Sequence, residues 1–275
     1  MSLELGEVLR RASEHLAKTS ETSRLDAELL LAHALGLTRV DLYTQFDRPL
    51  GTAELDRYRE LVARRARHEP VAYILGEWGF RRLTLAVDRR ALIPRPETEI
   101  VVERCLVHLD GLESPAVLDV GTGTGAIALA IADERPGARV TAIDASDGAL
   151  ELARENAART ELSIELERRD LFADFPAGPW DLVASNPPYV EPDDLDSLMP
   201  DVRDWEPHEA LVGHGAIEAV ARGACTTLRP RGALVVEVGE GQATRVASLL
   251  SELGFADVTV TADLAGRDRV VEGVR

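Results

Sequence analysis

Lysine is almost missing from this 275-residue chain: Lys18 is the only one among 31 Lys and Arg residues. That scarcity excludes a Walker phosphate loop, which requires Gly-Lys-[Ser/Thr]. It also excludes a Tyr-x-x-x-Lys dehydrogenase pair in residues 86–275, which hold no lysine. Only two cysteines occur, Cys105 and Cys225, at no paired metal-ligand spacing. Their apolar neighbours predict buried free thiols. The six histidines are scattered, so no metal site is expected. No apolar run is long enough to span a bilayer. The opening Met-Ser-Leu-Glu-Leu-Gly-Glu lacks the basic flank and apolar stretch of a signal peptide. A soluble cytoplasmic protein with no membrane partner is the expectation.

Acid is what the chain has in excess, and it is placed unevenly. The net charge is −17. Residues 1–85 carry 13 acids and 13 bases, so the 35 acids and 18 bases of residues 86–275 account for the whole imbalance. An acidic body repels phosphate backbones, which argues against nucleic acid as a direct substrate. Acidity also serves solubility, and the charge alone does not separate the two readings.

Apolar residues make up 45% of the chain, enough for a packed core. Residues 1–75 read as helices. Leu5, Val8, Leu9, Ala12 and Leu16 recur at helical spacing. Ser23 is positioned to cap a second helix with Leu25, Leu29 and Ala32 on one face, ending at Gly36. His33 falls near that face and is expected in the core. Thr38 and Asp41 mark a third helix start. A fourth, Thr52 to about His68, holds Arg57, Arg59, Arg64, Arg65 and Arg67. Such a run is either a solvated face or a surface for an acidic partner.

Residues 76–96 form the expected hairpin linker, with Leu83, Leu85 and Val87 alternating as in a strand. Pro96 suits the first turn of the next helix, and Glu97 and Glu99 suit its positive end. From 97 to 275 strands and helices alternate. Expected strands are Ala116–Gly121, Arg139–Asp144, Ser163–Asp170, Trp180–Ser185, Gly232–Gly239, Ala256–Val260 and Arg269–Val274. Expected helices are Ala126–Glu134, Gly148–Ala158 and Ile217–Leu228. That order predicts a mostly parallel, Rossmann-like sheet covered by helices on both faces, closing on an antiparallel hairpin.

Two motifs carry the chemistry. Gly121-Thr122-Gly123-Thr124-Gly125 lies between a strand and a helix, where glycines allow a tight turn and close approach of a ligand to the helix N-terminus. Asp144 ends the following strand, placed to accept hydrogen bonds from two ribose hydroxyls. Gly121, Gly123 and Ala126 also fit the dinucleotide pattern, so the loop predicts an adenosine-containing cofactor and leaves NAD and S-adenosylmethionine both open.

Asn186-Pro187-Pro188-Tyr189 follows the strand Trp180–Ser185, on the same rim of the sheet. The two prolines fix the directions of the Asn186 side chain and the Pro187 carbonyl. Tyr189 offers a flat apolar wall. A planar NH2 group has two protons to donate; the Asn186 oxygen can take one and the Pro187 carbonyl the other. That aligns the nitrogen lone pair with a methyl group on a sulfonium and favours S-adenosylmethionine over NAD. An amide nitrogen is a poor nucleophile, so alignment and desolvation must supply most of the acceleration.

With these residues the chain resembles the HemK-type peptide chain release factor glutamine methyltransferases. Ile93-Pro94-Arg95-Pro96-Glu97-Thr98-Glu99 is the most specific segment. Leu118-Asp119-Val120 with Gly121–Gly125 also carries the match; Asn186–Tyr189 alone is shared with adenine, guanine and other glutamine methyltransferases. Arg24–Leu30 and Glu206-Pro207 with Ala210-Leu211 support the match, which spans the whole chain. The resemblance implies a class I methyltransferase fold with a seven-stranded sheet and a helical substrate-docking domain over residues 1–75. It implies S-adenosylmethionine bound by Gly121, Thr122, Gly123, Thr124, Gly125, Asp144, Leu171 and Asn186. It implies a glutamine side chain held by Asn186, Pro187, Pro188 and Tyr189, with class I release factors as the partner and the glutamine of a Gly-Gly-Gln tripeptide as the acceptor. At the adenine position Leu171 and Phe172 both remain open. The segment 191–209, with eight acids against Arg203, is expected as a loop beside the site. The alternatives are a ribosomal-protein glutamine methyltransferase, a nucleic-acid exocyclic-amine methyltransferase, and a cofactor-sensing module.

Overall fold

The computed structural model describes residues 3–275. These fall into two compact units. One runs up to Glu77 and includes Met199–Trp205; the other holds Trp78–Leu198 and Glu206–Arg275.

The first unit is helical: α1 Leu5–Leu16, α2 Ser23–Leu35, α3 Arg39–Thr44, α4 Thr52–Arg65 and α5 Val71–Leu75. Leu5, Val8, Leu9, Ala12 and Leu16 are all buried, as their spacing predicts. Helix α2 departs from expectation. Thr22, not Ser23, is its N-cap, and the buried residues are Asp26, Ala27, Glu28, Leu30, Leu31, Ala32 and Ala34. Leu25 is exposed. So is His33, which is not a core histidine. The physical reason is that two acids turn inward because the fold supplies partners. Asp26 accepts from Arg65 Nε at 2.7 Å and from the Ser20 hydroxyl at 2.7 Å. Glu28 accepts from Arg24, Arg39 and Tyr43. A buried carboxylate is tolerated when it is paired and hydrogen-bonded. Arg65 also reaches Asp201 of the Met199–Trp205 segment, at 3.3 Å. Helix α3 opens with the reciprocal Thr38–Asp41 capping box.

The second unit starts with a two-stranded hairpin, β1 Glu77–Phe80 and β2 Leu83–Ala86. Then follow α6 Pro96–His108, β3 Ala116–Val120, α7 Ala126–Glu134, β4 Arg139–Asp144, α8 Asp147–Thr160, β5 Glu165–Arg168 and β6 Trp180–Ser185. The acidic segment 191–209 is not a plain loop: it holds a 3-10 helix at Pro192–Ser197, α9 at Pro200–Arg203, which belongs to the first unit, and the start of α10, His208–Leu211. The chain ends with α11 Ala216–Thr227, β7 Leu228–Glu237, α12 Ala243–Glu252, β8 Ala256–Ala262 and β9 Asp268–Val274. Helix α12 has no counterpart in the sequence reading.

The main sheet has seven strands in the order β5-β4-β3-β6-β7-β9-β8. Strands β5 to β7 pair in parallel, and β9 runs antiparallel to both its neighbours. Strand residues alternate between two cores. Val117, Leu182, Ala184, Ala233 and Val235 face α6 and α7. Leu118, Val120, Val183, Leu234 and Val236 face α11 and α12. Cys105 is buried and free; Cys225 is free but only half-buried. Among the described residues, no helix is long and apolar enough to cross a membrane, and no group of three or more His, Cys, Asp or Glu is placed to hold a metal ion.

Candidate active site

Strands β3 and β6 lie side by side, with Val120 opposite Ser185 in the register. The Ser185 hydroxyl donates to the Val120 carbonyl at 2.8 Å. The residues that follow each strand are therefore brought together: a Cβ built on Gly121 would lie 4.0 Å from the Asn186 carbonyl oxygen. The chain leaves β3 toward β4 on one side and reaches β6 on the other, which is the switch point where open α/β sheets bind ligands.

A cavity of about 330 Å³ opens at this point. It is lined by Gly121, Thr122, Gly123 and Thr124, by Asp144, by Leu171 and Phe172, and by Asn186 and Pro188. Three of the named residues do not line it. Gly125 packs instead: a Cβ there would lie 3.1 Å from Leu129 Cδ1 and 3.3 Å from Ala153 Cβ, so its bare backbone lets α8 approach α7. Pro187 is buried behind the rim. Tyr189 lines a second, smaller cavity, and its ring packs against the core under α11 and α12.

The glycine loop is held in shape from below. Gly121 and Gly123 sit at φ +73° and +55°, where a side chain would be strained. Asp119 Oδ2 accepts from the Thr122 hydroxyl at 2.7 Å and from the Ala128 N–H at 3.2 Å, tying loop to helix. Burial pushes the Asp119 carboxyl up to about 7, and its Oδ1 is buried without a partner among the described residues. Asp144 accepts from the Gly123 N–H and the Ser146 N–H, both at 2.9 Å. Burial raises its pKa, and the nearby Glu209 adds to that, against the backbone donors that lower it. Each carboxylate oxygen has a second lone pair, so Asp144 keeps capacity for two ribose hydroxyls.

These residues fit S-adenosylmethionine. Apolar walls at Ile143, Ala145 and Leu171 suit an adenine face. The start of the nine-residue α7, with the loop N–H groups before it, suits a carboxylate. Leu171 and Phe172 both reach the cavity, with Phe172 the more exposed at 63%.

Asn186 is anchored through one edge. Its Nδ2 donates to the Thr98 hydroxyl at 3.1 Å, which leaves Oδ1 as the edge available to a cavity occupant. The loop after it is clamped by residues 211–213. Val190 N–H donates to the Leu211 carbonyl at 3.0 Å, and Gly213 packs so closely that a Cβ would lie 2.2 Å from the Pro188 carbonyl oxygen. Ile93 and Pro94 close the opposite wall, where buried Glu206 accepts from the Ile93 N–H and from Arg95.

Sequence reasoning named the rim but missed Thr98, Gly213 and Glu237. Thr98 lies inside the most specific family segment, so a signal was present without a role. Glu237 offered only an acid at the end of an apolar strand.

Residues 7–76 match the family model described as PrmC N-terminal domain, and residues 98–222 match the methyltransferase small domain. A release factor glutamine methyltransferase of Geobacter sulfurreducens is 43% identical over 93% of this chain and 91% of its own. One from Burkholderia pseudomallei is 44% identical over 94% of each. Among solved structures, a 16S rRNA N2 G1207 methyltransferase of T. thermophilus, in complex with AdoMet and guanosine, superimposes with TM-score 0.53 at 18% identity. It covers 72% of this chain and 49% of that one. A Pyrococcus furiosus methyltransferase gives TM-score 0.50 at 16% identity over 69% and 87%. At such identities the likeness shows the class I methyltransferase fold and nothing finer. The identities to curated relatives along nearly the full length go further: this chain belongs to the release factor glutamine methyltransferases.

Proposed function

We infer that the protein transfers a methyl group from S-adenosylmethionine to the side-chain amide nitrogen of a glutamine in peptide chain release factors, the last residue of a Gly-Gly-Gln tripeptide. The observation that carries this reading is the meeting of Gly121 and Asn186 at paired strand ends, with the Asn186 oxygen edge left for an occupant. The cofactor supplies an electrophilic methyl group on a sulfonium, which needs no activation by the protein.

The chain's own residues bind and orient. Gly121, Thr122, Gly123, Thr124 and Asp144 form the cofactor cradle, with Leu171 against the adenine; Gly125 serves it by letting the helices close. Asn186 Oδ1 accepts one proton of the glutamine NH2; the other is assigned to the Pro187 carbonyl, which must turn to the cavity when substrate binds, because Pro187 does not line it in this structure. Pro188 walls the acceptor, and Tyr189 supports the loop from behind. Two acceptors on two protons leave the nitrogen lone pair perpendicular to the amide plane and pointed at the cofactor side. Once methylated, the nitrogen is strongly acidic, so its excess proton leaves to solvent without a positioned base.

A three-residue acceptor loop offers too little surface to select a whole protein. The helical domain over residues 1–75 is assigned that task, with 76–96 as linker and 97–275 as the transfer domain. The arginines of α4 are largely spent inside the domain. Arg57 donates to the Ala34 carbonyl, Arg59 to Asp56, Arg64 to Glu69 and Arg65 to Asp26. A better docking face is Val40 and Tyr43 on α3, three residues apart and 72% and 50% exposed. The acidic transfer domain disfavours nucleic acid, and release factors place the reaction in the cytoplasm. Incubation with labelled cofactor and either release factor or RNA tests the reading; label is expected in the factor, and label in RNA alone overturns it.

A further inference from the structure

Behind Asn186 lies a short chain of polar groups that the transfer reaction as described does not use. The Thr98 hydroxyl, near the start of α6, is 2.7 Å from Glu237 Oε2 at the end of β7 and 3.1 Å from Asn186 Nδ2. The Tyr189 hydroxyl is 3.4 Å from Glu237 Oε1. Glu237 is 1% exposed and Thr98 4%. A buried carboxylate at the rim of a methyl-transfer site carries a desolvation penalty and invites a reason.

We propose that Glu237 and Thr98 are positioning residues that set which edge of the Asn186 amide faces the cavity, and so whether the site can receive a substrate NH2. The proposal rests on reading Asn186 as the glutamine acceptor. An asparagine amide has nearly the same shape after a flip about its terminal bond, but the flip exchanges an acceptor for a donor. Shape therefore cannot hold it, and a fixed partner must.

A hydroxyl has one proton to give. An ionised Glu237 only accepts, so the Thr98 proton goes to Oε2. The lone pairs of Thr98 then take the Asn186 NH2 group, and Oδ1 is turned to the cavity. If Glu237 is protonated on Oε2, it donates to Thr98 and frees the Thr98 proton to turn toward Asn186. The amide is then best met by its oxygen, and the NH2 faces the cavity, donor against donor with the substrate. The charge on Glu237 is thus read at the acceptor two hydrogen bonds away, and no proton is passed to the substrate.

The surroundings place this switch in a useful range. Burial pushes Glu237 up to about 7 against the Thr98 and Tyr189 hydroxyls, which lower it. The charged groups facing it are Glu97 on α6, which raises it, and Arg269 on β9, which lowers it and is itself held by Asp263. Burial pushes the Tyr189 phenol up to about 12, so it stays a donor throughout.

The test is kcat at saturating cofactor and release factor, measured from roughly pH 6 to 8. Wild type should lose turnover as pH falls through about 7. Glu237→Gln should remove that limb, because glutamine can present its carbonyl to Thr98 at every pH. Thr98→Val should cut kcat about tenfold or more, while Thr98→Ser restores it and the KM for cofactor stays unchanged in both. Calorimetric cofactor binding shows which variants are folded; the Thr98 pair decides the matter if Glu237→Gln is not. Thr98→Val at wild-type kcat, or an unshifted acid limb in Glu237→Gln, overturns the relay. If Asn186→Ala is inactive in the same assay, only the relay has failed; if Asn186→Ala is as fast as wild type, the acceptor reading itself is wrong.

Discussion

At the scale of single residues, the proposed binding and transfer roles fall to different groups and separate in measurement. Asn186→Ala removes one of the two proposed acceptors for the substrate NH2, and loss of a pre-positioned group of this kind should cost about a hundredfold in kcat. Cofactor affinity should hardly move. Asp144→Ala removes the proposed acceptor for the ribose hydroxyls and should weaken cofactor binding at least about tenfold by calorimetry. A wild-type Kd for Asp144→Ala contradicts the cradle as described. Glu237 adds a dependence of opposite signs. Its folded pKa lies above its ordinary value of 4.5, at about 7, chiefly through burial. Its contribution to stability is therefore fully present below about 4.5 and is lost as pH rises through about 7. Asp119 shifts the same way to about 7, also by burial. Acidifying from roughly pH 8 to 6 should raise Tm or leave it level while kcat falls. A Tm that drops in step with kcat would mean that the acid loss is unfolding.

At the scale of elements, the site depends on segments that fix loops rather than touch ligands. Gly213 is the clearest case, because the Pro188 carbonyl occupies the space a side chain would need. Gly213→Ala should displace the loop 186–190, cost about 1–3 kcal/mol in stability and lower kcat more than cofactor affinity. An unchanged kcat means that the clamp from residues 211–213 does not set the loop. The central strands were legible in the sequence because they are apolar runs bounded by polar or Gly/Pro residues; Arg139–Asp144 and Trp180–Ser185 match residue for residue, whereas β5, Glu-Leu-Glu-Arg, is shorter than the expected Ser163–Asp170. The cofactor and acceptor motifs were legible because each follows such a strand directly. The buried face of α2 was not, since Asp26 turns inward toward Arg65, 39 residues away. Thr98 and Glu237 were invisible as a pair for the same reason: 139 residues separate them.

At the scale of the whole molecule, the proposed function assigns selection to the helical unit and chemistry to the more acidic transfer unit. Val40→Glu puts a charge on the exposed face of α3 and should raise KM for intact release factor about threefold to tenfold, with kcat and turnover of a short Gly-Gly-Gln peptide unchanged. Equal effects on factor and peptide would remove the docking role from this face. The central claim is narrower than docking and can be met head on. Intact release factor is incubated with the enzyme and S-adenosylmethionine, digested, and its Gly-Gly-Gln peptide sequenced by mass spectrometry. The account predicts one added methyl group on the side-chain amide of that glutamine, absent with Asn186→Ala. A peptide left unmodified, or a methyl group on any other residue, contradicts it.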